Sequence, residues 1–87
     1  MSVWIEGDWD PFLYKWEQIV NVIRQRIDDG TYPERSVISE VALMEEFNVA
    51  RGTIRRTMGV VREQGLVITK AGKGSIVVPK DQRPQAE

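Results

Sequence analysis

Apolar positions along the chain fall into helical periods first and strand-like runs last. Leu13, Trp16, Ile19, Val20, Ile23 and Ile27 recur at i, i+3, i+4 and i+7, which lays one apolar stripe along a helix. Its polar face carries Lys15, Glu17, Asn21, Arg24 and Arg26. Asp10-Pro11 predicts the start, since Asp caps well and Pro suits the first helical position. Gly30 predicts the end.

Two further periodic sets follow close together: Val41, Met44 and Phe47, then Ile54, Met58 and Val61. Between them stands Asn48-Val49-Ala50. Asn tolerates the left-handed conformation that ends a helix, and Val49 can plug the space between the two helices. Ser39 predicts a cap on the first of this pair, with Glu40, Glu45 and Glu46 behind it. The second helix spans about 51–64 and keeps Arg51, Thr53, Arg55, Arg56 and Arg62 for solvent or a partner. Gly59 inside it costs about 1 kcal/mol relative to Ala, which suggests close packing there. Two helices around so short a turn predict a helix-turn-helix, whose second helix can lie in a DNA major groove.

After Gly65 the period changes to that of a strand. Leu66-Val67-Ile68-Thr69 and Ser75-Ile76-Val77-Val78 flank the turn Ala71-Gly72-Lys73-Gly74, so a hairpin follows. Val37-Ile38 predicts a short strand pairing with it, reached through an extended connection anchored by Tyr32. The fold class is therefore mainly α with a small β-sheet (α+β): three helices followed by a β-hairpin wing. The division is an acidic arm over 1–10 with Trp4 and Trp9, a winged helix-turn-helix over 11–79, and a polar, frayed tail over 80–87.

Charge distribution changes what this fold implies. The formal net charge is only −1. Residues 1–50, however, carry four basic against ten acidic side chains, and residues 51–80 carry seven against Glu63 alone. One end is therefore electropositive, as backbone phosphates require; two solvated surfaces of opposite sign would give the same asymmetry. Arg51, Arg55 and Arg56 crowd the first turn and a half of the third helix, where cations oppose the helix dipole. An anion in front of that terminus would explain the choice. Lys70 and Lys73 place cations at the wing, where Gly72 lets backbone approach closely. Ser39 and Glu40 read first as a cap, though the same helix terminus can also meet a phosphate.

The chain has no cysteine and no histidine, which removes disulfides, thiol nucleophiles and the usual general base and metal ligand. No enzyme, no metal and no cofactor is implied. There is no bilayer-length apolar run and no signal-peptide pattern, so the expected location is cytoplasmic, away from membranes.

These residues resemble the winged helix-turn-helix domain of the GntR family of bacterial transcription regulators. The opening "Y-x-Q-I…L-x-x-x-I-x-x-G" is similar to Tyr14, Gln18, Ile19, Ile23, Ile27 and Gly30. The segment "P-G-x-x-L-P-S-E-x-x-L-A" is echoed by Pro33, Val37, Ser39, Glu40, Leu43 and Met44. "F-G-V-S-R-x-T-V-R" is echoed by Phe47, Val49, Arg51, Thr53, Ile54 and Arg55, and "E-G-L-V…G-x-G-T-x-V" by Gly65, Leu66, Val67, Gly72, Gly74, Ser75 and Val77. Four features depart from the pattern. Ala50 stands for Ser or Thr, Asn48 for the turn glycine, Val41 for a frequent DNA-touching arginine, and Glu34 and Ile38 for the Gly and Pro before Ser39.

The resemblance implies double-stranded DNA as partner, read as a palindromic operator by a homodimer, most often in repression. It implies DNA contacts from Arg51, Thr53 and Arg55, with Ser39 and Glu40 at the entry of the preceding helix and Gly72 at the wing. Gly52, Arg56, Lys70 and Lys73 join them as candidates from their own positions in the third helix and the wing. Family members also carry a C-terminal metabolite-sensing domain, so an effector is expected only if such a domain is missing from this chain. The competing expectation is a protein-interaction module that uses the Trp-containing acidic arm.

Overall fold

The computed structural model describes residues 9–84. The part of the arm that holds Trp4 lies outside the described residues. Helix α1 spans Lys15–Asp28, strand β1 Val37–Ile38, α2 Glu40–Phe47, α3 Arg51–Glu63, β2 Val67–Lys70 and β3 Gly74–Val77, followed by a 3-10 turn at Lys80–Gln82. The sheet is antiparallel with order β1-β3-β2, so the strand before α2 pairs with the last strand of the hairpin. Val37 faces Ile76 across one ladder, and Ile68 faces Ile76 across the other.

The core gathers where the apolar stripes meet. Ile19, Ile23 and Ile27 of α1 are buried together with Leu43 and Phe47, Ile54, Met58 and Val61, and the strand residues Ile38, Val67 and Val77. Alternation does the rest in the sheet: Val77 and Ser75 point inward from β3, while Ile76 between them faces out. Helix α2 differs from the expected stripe. Leu43 and Phe47, spaced i and i+4, form its buried line, with Met44 on the flank. Val41 is 54% exposed.

The start of α1 also differs. Asp10 does not cap it; its carboxylate accepts from Phe12 N–H at 2.9 Å in a local turn. Gln18 then clamps that turn, accepting from Asp10 N–H at 2.8 Å and donating to the Asp10 carbonyl at 2.9 Å. The helix begins four residues beyond Pro11, where Glu17 accepts from Tyr14 N–H at 3.1 Å. Leu13 falls outside it and is 46% exposed. Trp9 packs against the core, tilted against Phe47 at a 6.2 Å centroid separation.

Two charged side chains, Arg26 from the polar face of α1 and Glu46 of α2, are structural ties. Arg26 of α1 makes a two-pronged ion pair with Glu46 of α2 and donates to the Tyr32 hydroxyl at 2.7 Å. The Glu46 hydrogen bond holds the guanidinium above its already high ordinary pKa. The connection to β1 is not simply extended. Ser36 N–H donates to the Pro33 carbonyl at 3.1 Å, and Arg35 sits in the left-handed region at φ 67°. The segment after the wing is not frayed through Pro84. Lys80 N–H donates to the Glu34 carboxylate at 2.9 Å and Arg83 Nε to the Val78 carbonyl at 2.7 Å.

Candidate nucleic-acid interface

Helix α3 is set against α1 and α2 by Ile54, Met58, Val61 and the buried Thr57, whose hydroxyl donates to the Thr53 carbonyl at 2.9 Å. The turn that aims it depends on Asn48, which takes the left-handed conformation at φ 53°, ψ 53°. Val49 N–H then donates back to the Met44 carbonyl at 3.2 Å, and the Val49 side chain packs against the core. Ala50 begins α3 without a side-chain cap. The positive end of the helix dipole is thus presented to whatever lies in front.

With α3 buried along one side, Arg51, Gly52, Arg55 and Arg56 are exposed on the other, and Thr53 is half-buried. Arg51 and Arg55 have no hydrogen bond or ion pair among the described residues. Arg56 is different. Its guanidinium lies over the Trp16 ring of α1, 4.5 Å from the centroid. Arg62, one of the cations left for solvent or DNA, instead donates to Thr69 Oγ1 at 3.0 Å and ties α3 to the hairpin. Gly59 lacks the expected close packing: a Cβ there would meet only Arg62 Nη2, at 3.8 Å.

The remaining candidates stand on two other elements. Ser39 caps α2, its hydroxyl accepting from Ala42 N–H at 3.1 Å, and Glu40 opens the first turn. At the wing, Lys70 and Lys73 are exposed around Gly72, and Lys73 N–H closes the turn on the Lys70 carbonyl at 3.0 Å. Gly72 and Gly74 take φ of 80° and 97°, which a side chain would resist. Two cations thus stand at the hairpin turn, which carries no acidic side chain.

Besides the Arg62–Thr69 hydrogen bond, the Trp16–Arg56 pair is not foreseen from sequence. Trp16 reads as one more member of an apolar stripe, and nothing local announces that its ring meets a residue of α3.

The profile of bacterial regulatory proteins of the gntR family matches residues 15–77. The chain belongs to the GntR family. Because that match begins at Lys15, Tyr14 lies outside it, and the aromatic two places before Gln18 is Trp16. A stretch of 67 residues is 35% identical to the HTH-type transcriptional regulator GmuR of Bacillus subtilis (strain 168), covering 76% of this chain and 28% of that protein. The chain thus spans little more than a quarter of that relative's length. Among solved structures, AraR(DBD) in complex with operator ORX1 superposes with a TM-score of 0.74 at 32% identity, over 90% of this chain and 96% of that one. A GntR family transcriptional regulator from Listeria monocytogenes gives a TM-score of 0.78 at 26% identity, over 86% of this chain and 67% of that one. Three helices with a small antiparallel sheet are therefore the GntR-type helix-turn-helix domain of a transcription regulator. No helix among the described residues is long and apolar enough to cross a membrane.

Proposed function

We propose that this domain binds double-stranded operator DNA in a sequence-dependent way, with α3 in the major groove and the wing on backbone or minor groove. The observation that carries the reading is that Arg51 and Arg55, at the uncapped start of α3, are exposed and have no hydrogen-bond or ion-pair partner among the described residues. In that position an arginine fork can address guanine O6 and N7, each bidentate contact contributing about 1–3 kcal/mol of discrimination. Thr53 meets a phosphate or a thymine methyl beside them, and Gly52 leaves that face of the helix without a side chain. Arg56, Lys70 and Lys73 supply attraction that does not depend on sequence, together with Gly72 at the wing. Ser39 and Glu40 approach the backbone from the start of α2. That AraR(DBD) is seen on its operator supports the reading.

The finer assignments go with it. The domain is taken to act in the cytoplasm as part of a repressor that excludes polymerase from a promoter, without enzymatic activity of its own. It is taken to bind a palindrome as a homodimer, since a two-fold protein reads a two-fold site. Residues 11–79 form the DNA-binding unit in this reading, between an arm over 1–10 and a tail over 80–87. The protein-interaction alternative loses one anchor, because Trp9 is turned inward onto Phe47 with Lys15 Nζ 5.2 Å from its ring centroid.

The test is selection of bound duplexes from a randomised pool, followed by sequencing of the retained fraction. A palindromic motif is the expected result. Retention without any enriched sequence would reject base readout, and no retention at low salt would reject DNA binding altogether.

A further inference from the structure

Helix α1 does more than support the core. We propose that Trp16 is a positioning residue for DNA binding: its indole face holds Arg56 at the seam of α1 and α3, fixing that cation beside the recognition helix for a backbone phosphate. The inference rests on the DNA reading above and deepens it.

The geometry is built from three elements of the same corner. The Arg56 guanidinium lies over the Trp16 ring at 4.5 Å, well inside the range where a ring face attracts a cation. Tyr14 lies alongside Trp16 at 6.3 Å with only 14° between the planes, so a second ring braces the first. The backbone is tied at the same place, since the Thr57 hydroxyl, next to Arg56 in sequence, lies 3.4 Å from the Trp16 carbonyl. Arg56 has no carboxylate partner among the described residues, so its charge is not neutralised within them. It is nevertheless exposed, and a planar guanidinium stacked by one face still offers its N–H edge to a phosphate.

Lysine cannot replace this arrangement, because an ammonium on a flexible stem keeps the charge but loses the planar stack. A free arginine must be immobilised when it binds DNA; one already stacked has given up much of that freedom. Trp16 thus acts on DNA through Arg56 without touching it.

The experiment is a double-mutant cycle read by fluorescence anisotropy on a labelled random-sequence duplex at low salt, which suits a contact that reads no bases. Arg56→Gln should weaken binding and lower the salt slope by about one. Trp16→Leu should weaken it about two- to five-fold, and Trp16→Phe should retain most of the affinity because an aromatic face remains. In the Arg56→Gln background, Trp16→Leu should have no further effect. Arg56→Lys, an exposed change that spares the fold, should weaken binding about as much as Trp16→Leu although the charge is kept. In the free protein, the Arg56 side-chain NMR resonances should lie upfield under the ring current and return to ordinary positions in Trp16→Leu.

Equal losses from Trp16→Leu with and without Arg56 would overturn the proposal and leave Trp16 a packing residue. Undiminished binding by Arg56→Lys would overturn it too. Both results presuppose a wild-type domain that binds; a wild type that does not bind duplex at low salt would bring down the DNA reading itself.

Discussion

Gly59→Ala is a substitution whose sign the structure decides. The residue lies inside α3, away from both helix ends, where glycine costs about 0.8–1 kcal/mol relative to alanine through the freedom of the unfolded chain. Whether that cost is recovered depends on what a methyl group would meet. Its nearest neighbour is Arg62 Nη2 at 3.8 Å, an ordinary contact with the end of a flexible side chain, and Gly59 is not among the residues at positive φ. Alanine therefore fits without strain, and the expected gain is the whole propensity difference, about 0.8–1 kcal/mol. For a domain of about 60–100 residues, 1 kcal/mol moves Tm by about 4–8 °C. Urea melts followed by circular dichroism should show a higher midpoint with an unchanged slope. Gly65→Ala is the internal contrast. Its backbone sits at φ 78°, and a Cβ would come within 2.7 Å of Pro84 Cγ and Cδ. It should destabilise by at least about 1–2 kcal/mol. A destabilised Gly59→Ala, or a neutral Gly65→Ala, would refute the reasoning.

Other perturbations follow from the same structure. Glu46→Ala removes the only carboxylate partner Arg26 has among the described residues, leaving a side chain only 11% exposed with the Tyr32 hydroxyl, and should cost about 1.5–3 kcal/mol; a double-mutant cycle with Arg26→Met should show strong coupling in urea melts. Asn48→Ala forces a side chain without a local hydrogen-bonding group into the left-handed region and should cost about 1–2 kcal/mol by the same assay. The Asp29 carboxyl is held below its ordinary range by the Thr31 hydroxyl, then by the Thr31 N–H. A depressed folded-state pKa means its stabilisation is fully present above the unfolded value and is lost as pH falls through the folded one. The stability difference between wild type and Asp29→Asn should thus be constant near neutrality and close in acid.

Much of the fold is legible in the chain because the deciding interactions are local. Ser39 caps α2, Asn48 turns left-handed and the two wing glycines sit at positive φ, each for a reason contained within a few residues. Where the reading failed, a distant partner had taken over. Asp10 looks like a helix cap, but Gln18 reaches back to hold it in a separate turn, and α1 starts later. Arg26 looks solvated until α2 brings Glu46 beside it. Val41 keeps helical spacing with Met44 and Phe47, yet the packing of α2 on its neighbours selects the Leu43 line instead. In the candidate interface, the arginines of α3 stand out as cations where a dipole disfavours them. Sequence could not separate Arg51 and Arg55, without a partner among the described residues, from Arg62, spent on Thr69, or from Arg56, stacked on Trp16. That sorting depends on where α1 and β2 pass, which is a property of the packed domain.

The central claim is that α3 reads DNA through Arg51 and Arg55. It is tested most directly by titrating wild type and the Arg51→Ala/Arg55→Ala double variant onto the selected duplex over a salt series, with both proteins first shown to melt alike. The account predicts steep salt dependence for the wild type and loss of sequence-specific binding in the double variant, with any residual affinity equal for selected and random duplexes. A folded double variant that still prefers the selected duplex as strongly as wild type would contradict it.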